Sequence, residues 1–412
     1  MKSYIPFILL VITINCTFSQ SIKKIDIDIY EDSSFEKLEN QFNDISFIGV
    51  GDATHGTSEF FTFKAELFKY LVKEKNFKTF ALEAQPGESA LINDFIHGEE
   101  YDIDKLINSM EFWAWKTEEM KSLLMWMRSY NSTHKEKVNF IGFDIQLTNT
   151  SVDYLYNYIA NVDPKELNFV KTTCKNYTPN KRFKYYKVSE EKKLNARKSL
   201  VELKKLILKN EVLYTEKSSI HKWRNAYLIC VGLLESEKTF THHPGTDLSS
   251  SQRDKSMFEM VTAYSKITKG NKIMLSAHNG HICKDKKYNK VTMGMHLAEF
   301  YKSNYLALGT LFGEGDFLAQ SMNGGILKKF TVPKTPEGSF LQKLSKNGDS
   351  YFFHFENQDE SISKLLMSSQ SVYDIPANFK YDESFYFKPF ILSKHYDGIM
   401  FFNKTKSITK LK

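Results

Sequence analysis

Cysteine is scarce in this sequence. Four occur in 412 residues, and Cys174, Cys230 and Cys283, the three beyond the amino-terminal segment, share no short spacing. That excludes a zinc motif and a disulfide framework. A single bridge stays open if the chain folds in an oxidising compartment. The marks of the common nucleophile and phosphate-binding designs are also absent: there is no G-x-S-x-G elbow, no P-loop lysine and no G-x-G-x-x-G run. Beyond residue 20 no apolar run is long enough to cross a bilayer. Acidic residues fall short of basic ones, 49 against 56, for a net charge of +7. Much of the excess lies between Lys181 and Lys209, where lysines alternate with Leu194, Leu200, Leu203 and Leu206 at helical spacing. That is the pattern of a solvated helix face, and no nucleic-acid-binding module accompanies it, so nucleic acid is not an expected partner.

What is present begins with a leader. Lys2, the apolar stretch Ile5 to Ile14 and the small or polar residues Cys16 to Gln20 form the pattern of a secretory signal peptide over residues 1–20. A secreted or periplasmic protein is expected, without stable membrane insertion. A lipoprotein acylated at Cys16 is the competing reading, and Thr13-Ile14-Asn15 lack the small residue usual beside such a cysteine.

From residue 21 on, short apolar runs alternate with helix-length segments, the pattern of an α/β fold with a mostly parallel sheet flanked by helices. Strands are expected at Asp44 to Asp52, Thr79 to Ala84, Val138 to Asp144, Ile273 to Ala277 and Tyr305 to Thr310. Amphipathic helices are expected over Thr57 to Asn76, Glu88 to His97 and Thr117 to Asn131. Residues from about 151 to 245 are lysine-rich and strand-poor and read as a helical insertion or lid. Gly245 to Ser251 reads as a loop, with a helix opening at Arg253-Asp254. After Gly313 the pattern is of hairpins and loops, closing with a strand His395 to Asn403.

Ionisable residues cluster where these strands end, and ligands bind at the carboxyl ends of such sheets. Asp52 and His55 stand three residues apart in a glycine-bracketed loop, where a carboxylate can hold an imidazole and raise its basicity. Free amides at the start of the following helix can hold an oxyanion. Glu83 closes an apolar strand and needs a partner, either in a site or in a salt bridge with Arg253 or a lysine. His278 and His281 bracket Asn279-Gly280, and Asp144 ends a further strand, where capping is the simpler role. Without a nucleophile motif, a hydrolase built here activates water directly, with His55 as general base, Asp52 or Glu83 orienting it, and His278 polarising the carbonyl or protonating the leaving alkoxide. Two rivals remain. The same histidines and carboxylates can bind a catalytic metal, though at no specific spacing, or a histidine of the pair can ligate haem in a non-catalytic protein that binds a large apolar ligand.

Several segments together resemble the erythromycin esterase family. They are Gly51-Asp52-Ala53-Thr54-His55-Gly56 with the following helix, Ala81-Leu82-Glu83, Phe112-Trp113-Ala114-Trp115, Phe140 to Asp144, Arg253-Asp254, Ala277 to His281 and Tyr396 to Phe401. The resemblance implies a metal-independent and cofactor-free hydrolase that opens the lactone of macrolide antibiotics. It places the water-activating histidine on His55, the strand-end glutamate on Glu83, the second essential histidine on His278 and a basic residue of the first helix on Lys64. Lys64, Arg253, His281 and Asp144 are thereby expected to contact a small ester or lactone substrate, in a monomer. The chain departs from the family pattern at Asp52, where glutamate is usual.

Overall fold

The computed structural model describes residues 22–177, 182–333, 335–356 and 358–411; the leader lies outside them. Among the described residues no helix is long and apolar enough to cross a membrane, and Cys174, Cys230 and Cys283 are buried and unbridged, which removes the single bridge.

The strands in chain order are β1 (Ile25–Asp26), β2 (Phe47–Val50), β3 (Phe77–Leu82), β4 (Asn139–Gly142), β5 (Lys272–Ser276), β6 (Tyr305–Ser321), β7 (Leu327–Thr331), β8 (Ser350–His354), β9 (Ser369–Tyr373), β10 (Asn378–Phe379), β11 (Phe387–Ile391) and β12 (Gly398–Thr405). The main sheet runs β1-β8-β12-β6-β2-β5-β3-β4. From β12 to β4 every neighbouring pair is parallel, while β8 and β1 join antiparallel at one edge. Every residue of β2 and β4 is buried, as expected of parallel strands covered on both faces.

The helix Ser58–Lys75 buries Phe60, Phe63, Leu67, Phe68 and Leu71 against the sheet, and Asn76 ends it in the left-handed region at φ 58. The helix Glu118–Thr133 turns Met120, Leu123, Leu124 and Met127 inward. Between Asn149–Val162 and Ile220–Phe240 the described residues are helical or connecting, and they enclose a second hydrophobic core of their own.

Three expectations need correction. Gly245 to Ser251 is mostly helix: the helix runs Asp247–Ile267, and the Thr246 side chain caps it by accepting from the Ser249 amide at 3.1 Å. The segment after Gly313 holds helices, among them Phe340–Ser345 and Glu360–Met367, as well as hairpins and loops, and its closing strand β12 sits between β6 and β8 inside the main sheet. β6 itself runs on to Ser321, and its far half pairs with β7 and β10. In the lysine-rich helix Glu190–Lys209 the buried stripe is Ala196, Leu200, Leu203 and Ile207, whereas Leu194 faces solvent.

Candidate active site

The carboxyl ends of β2, β3, β4 and β5 deliver Asp52, Glu83, Asp144 and His278 to one rim. A cleft of about 580 Å³ opens there, lined among others by His55, Glu83, Trp115, Arg253, His278 and His281. Two glycines make the close approaches that this needs. A Cβ on Gly51 would lie 2.1 Å from the Asn279 side chain, and one on Gly56 would lie 1.9 Å from the Leu318 carbonyl oxygen. Asn279 in turn accepts from the Thr310 amide at 3.1 Å and donates to the Thr310 carbonyl at 2.8 Å, pinning the His278 turn to β6.

Asp52 is fully buried. Its Oδ1 lies 3.1 Å from His55 Nδ1, and neither atom has another hydrogen-bond partner among the described residues. Its Oδ2 accepts from Lys64 Nζ at 2.6 Å. Burial would raise the Asp52 pKa, but Lys64 and His55 overcome it and hold the group well below the usual carboxylate range. Burial works to lower the His55 pKa, and the Asp52 carboxylate outweighs it and raises it. The ring of His55 is wedged edge-on between Trp115, at 5.5 Å between centroids, and His278, at 5.2 Å. With Nδ1 tied to Asp52, Nε2 is the nitrogen left for the cleft, since it has no hydrogen-bond partner among the described residues.

Glu83 is arranged differently. Oε1 accepts from Arg253 Nη2 at 2.8 Å and lies 3.2 Å from His281 Nε2, while Oε2 accepts the His278 backbone N–H at 3.0 Å. It makes no hydrogen bond to His55, so Asp52 is the group that orients the candidate base. Against the effect of burial, His281 and Arg253 keep Glu83 ionised. His281 Nδ1 also meets Asp254 Oδ1 at 2.8 Å. Burial alone would discharge this ring, but Asp254 and Glu83 raise its pKa to about 10, so His281 is an imidazolium at neutral pH. Arg253 grips Asp144 through Nε and Nη2, both at 2.9 Å. Its Nη1 makes no contact with a carboxylate and lies 3.3 Å from His281 Nε2; because that ring is an imidazolium it cannot accept, and the Nη1 hydrogens stay turned toward the cleft.

His278 is a neutral ring. Burial and the neighbouring Lys287 push its pKa down to about 3. Nδ1 accepts the Gly280 N–H at 3.1 Å, so the proton sits on Nε2, which lies 3.2 Å from the Ile375 carbonyl oxygen and 3.6 Å from Asp374 Oδ1. His278 and His281 therefore turn toward different partners. Among the described residues no group of three or more histidine, cysteine, aspartate or glutamate side chains is placed to hold a metal ion.

The rim brings together His55, Glu83, Asp144, Arg253, His278 and His281, with Asp52 directly behind. Lys64 does not join them. It is 1% exposed, and its amine is spent on Asp52 and on the Ala277 carbonyl at 3.3 Å, so it cannot touch a substrate. The amides at the start of the first helix are also taken, Gly56 by Thr54 Oγ1 and Ser58 by the Lys406 carbonyl, which removes them as oxyanion donors. Asp144 ends its strand as Arg253's clamp rather than as a helix cap. Asp374 and Lys287 have no counterpart in the sequence reading. Lys287 Nζ is 3.0 and 2.9 Å from the two Asp374 oxygens. Asp374 stands just after β9 in a stretch with no strand–helix rhythm, and Lys287 is lost in a run of lysines.

An α/β sheet with a buried carboxylate–histidine pair at a strand end, facing an arginine and a second histidine, defines a hydrolase-type site. The erythromycin esterase family model matches residues 72–405, and the chain belongs to that family of hydrolases. Erythromycin esterase type II of Escherichia coli is 24% identical over 407 residues, 92% of this chain and 93% of that protein. A Bacillus cereus protein of solved structure superposes with a TM-score of 0.80 at 22% identity, covering 94% of this chain and 96% of that one. A mutant of the erythromycin esterase EreC in its open conformation gives 0.65 at 16% identity, over 93% and 96% of the two chains.

Proposed function

We propose that this chain hydrolyses a carboxylic ester or lactone by activating water, without metal. The observation that carries the reading is the Asp52–His55 pair, with His55 Nε2 open to the cleft and no serine or cysteine nucleophile beside it. Cys283 is buried and its thiol is pushed up to about 12 by that burial, so it is no nucleophile at neutral pH. In the proposed step His55 Nε2 takes a proton from water as the oxygen attacks the carbonyl carbon. The two C–O electrons of the carbonyl move onto oxygen, where the Arg253 guanidinium stabilises the charge; His278, its Nε2–H held by the Ile375 carbonyl, packs edge-on to the His55 ring and positions it. Collapse breaks the bond to the leaving oxygen, and His55 returns its proton there. An ester gives an acid and an alcohol, and a lactone gives one hydroxy acid.

Asp52 favours the imidazolium that forms on His55. Glu83 holds the cations Arg253 and His281 in place. Lys64 keeps Asp52 charged and fixed, as a positioning residue. The names of the relatives make a macrolide lactone the first substrate to try. The amino-terminal pattern supports a secreted or periplasmic protein, and a cleft lined entirely by one chain suits a monomer with a small-molecule substrate and no nucleic-acid partner. Incubating the purified protein with a panel of macrolides and simple esters, read by mass spectrometry, tests the reading. A product heavier by one water, or the two halves of an ester, is the expected result. No turnover across lactones and esters would overturn it.

A further inference from the structure

The sheet has a second cavity at its other end. It measures about 760 Å³, larger than the catalytic cleft. Its floor is built from the amino-terminal ends of the parallel strands: Ser46 stands before β2, Lys78 near the start of β3, Asn139 opens β4 and Lys272 opens β5. Its wall is the first two turns of the helix Ile220–Phe240, which contribute His221 and Arg224, with His97 at the end of the helix Pro86–Ile96.

The charge there is one-sided. Lys78, Lys137, Arg224 and Lys272 line the cavity against a single carboxylate, Glu136. Glu136 pairs with Lys78 at 2.8 Å, but its side chain is 73% exposed and is free to swing away. Arg224 carries the most weight. Its Nε is buried with no hydrogen-bond partner, and the guanidinium has no carboxylate partner among the described residues. Arg224 as a whole is half-buried; the unpaired N–H at its buried Nε is costly, and a ligand oxyanion entering the cavity is the partner it lacks. The imidazoles of His97 and His221 stack face to face, 4.1 Å between centroids. Both are kept neutral, first by burial and then by the cations around them.

From this geometry we infer that the cavity is a binding site for a small polyanion, a molecule bearing two or more phosphate or carboxylate groups, held by Arg224 and Lys272 with Lys78 and Lys137 at its edge. A monoanion would leave most of the positive charge unmatched. A polyanion balances it, and Arg224 provides the fork geometry that binds an oxyanion through two N–H groups. The site lies at the opposite end of the strands from His55 and does not rest on the ester-hydrolase reading.

Inorganic pyrophosphate is the probe, titrated into the full chain by calorimetry at low salt. The wild type should bind saturably, and Arg224→Gln should weaken binding at least about tenfold, the scale of a lost charge-assisted contact. Lys272→Gln should weaken it by less. His55→Ala, at the other end of the sheet, should bind as the wild type does. If Arg224→Gln fails to fold, judged by its circular dichroism spectrum, Lys272→Gln and Lys137→Gln decide instead. Absence of saturable binding by the wild type would overturn the inference. So would undiminished affinity in the folded cavity variants, or loss of binding in His55→Ala.

Discussion

Two buried carboxylates, one in the helical region and one at the sheet rim, show what separates a structural charge from a working one. Glu237 in the helix Ile220–Phe240 is fully buried. Arg197 reaches it through Nε at 2.7 Å and Nη2 at 3.2 Å, and Tyr185 donates to it at 3.1 Å. All three contacts come from two side chains committed to this carboxylate, and the cluster offers nothing to a ligand. Asp52 is equally buried and also meets a cation, Lys64. Its second oxygen goes to a ring whose other nitrogen is open to the cleft. Burial and ion pairing are common to both. Only the rim carboxylate passes its charge to a group that can still exchange a proton.

The sharpest way to break that comparison is to remove the exchanging group. His55→Ala should lower turnover by about 10²-fold or more, the scale of a lost general base, while the variant still folds by its circular dichroism spectrum. Near-normal turnover would mean that the open nitrogen does no chemistry. Asp52→Asn should cost roughly 10- to 100-fold in rate. It should also move the acid limb of the pH–rate profile. In the wild type that limb should lie above the ordinary histidine value of 6.5, because Asp52 raises the His55 pKa and a base acts only when deprotonated. An amide supplies no negative charge, so the limb should shift to lower pH. A silent Asp52→Asn would leave Asp52 as mere packing.

Asp374→Asn is milder. It weakens the anchorage of Lys287 and His278, worth roughly three- to tenfold in rate by the net value of one hydrogen bond, and leaves the acid limb where it was. Glu237→Ala tests the other side of the comparison. It should cost about 2 kcal/mol or more of stability in a denaturant titration, by stranding buried donors, with unchanged turnover per folded molecule. A loss of turnover at equal folding would tie the helical cluster to the site. Prolonged dialysis against chelator should change nothing. Activity that falls and returns with zinc would favour the metal reading, with His278 or His281 as a ligand.

The part of this arrangement that is local in sequence was readable there. Strand, tight loop and amphipathic helix put His55 three residues after Asp52, and the periodicity of Phe60, Phe63 and Leu67 requires the helix that follows. Glu83 and Asp144 were legible as strand ends, and Arg253 stood among the partners open to Glu83, 170 positions away; that the same guanidinium also grips Asp144, 109 positions away, was not. The burial of Lys64 was hidden too, since a lysine on a helix reads as solvated until its own carboxylate is known to lie beneath it. The place of β12 was hardest to see. Nothing in Gly398–Thr405 says which strand it will join, and its burial on both sides comes from β6 and β8, whose order only the folded chain sets.

That late strand bears on the timing of folding. Just beyond it the backbone fastens the loop that carries His55: the Ile408 amide donates to the Gly56 carbonyl, and the Lys406 amide donates to Glu59, 347 positions away. During synthesis the loop carrying His55 leaves the ribosome hundreds of residues before its clasp does. Closing so long a span costs entropy before it returns any contact. The His55 loop is therefore secured only late in folding, and a chain that stalls before residue 406 holds every rim residue yet lacks the clasp on that loop.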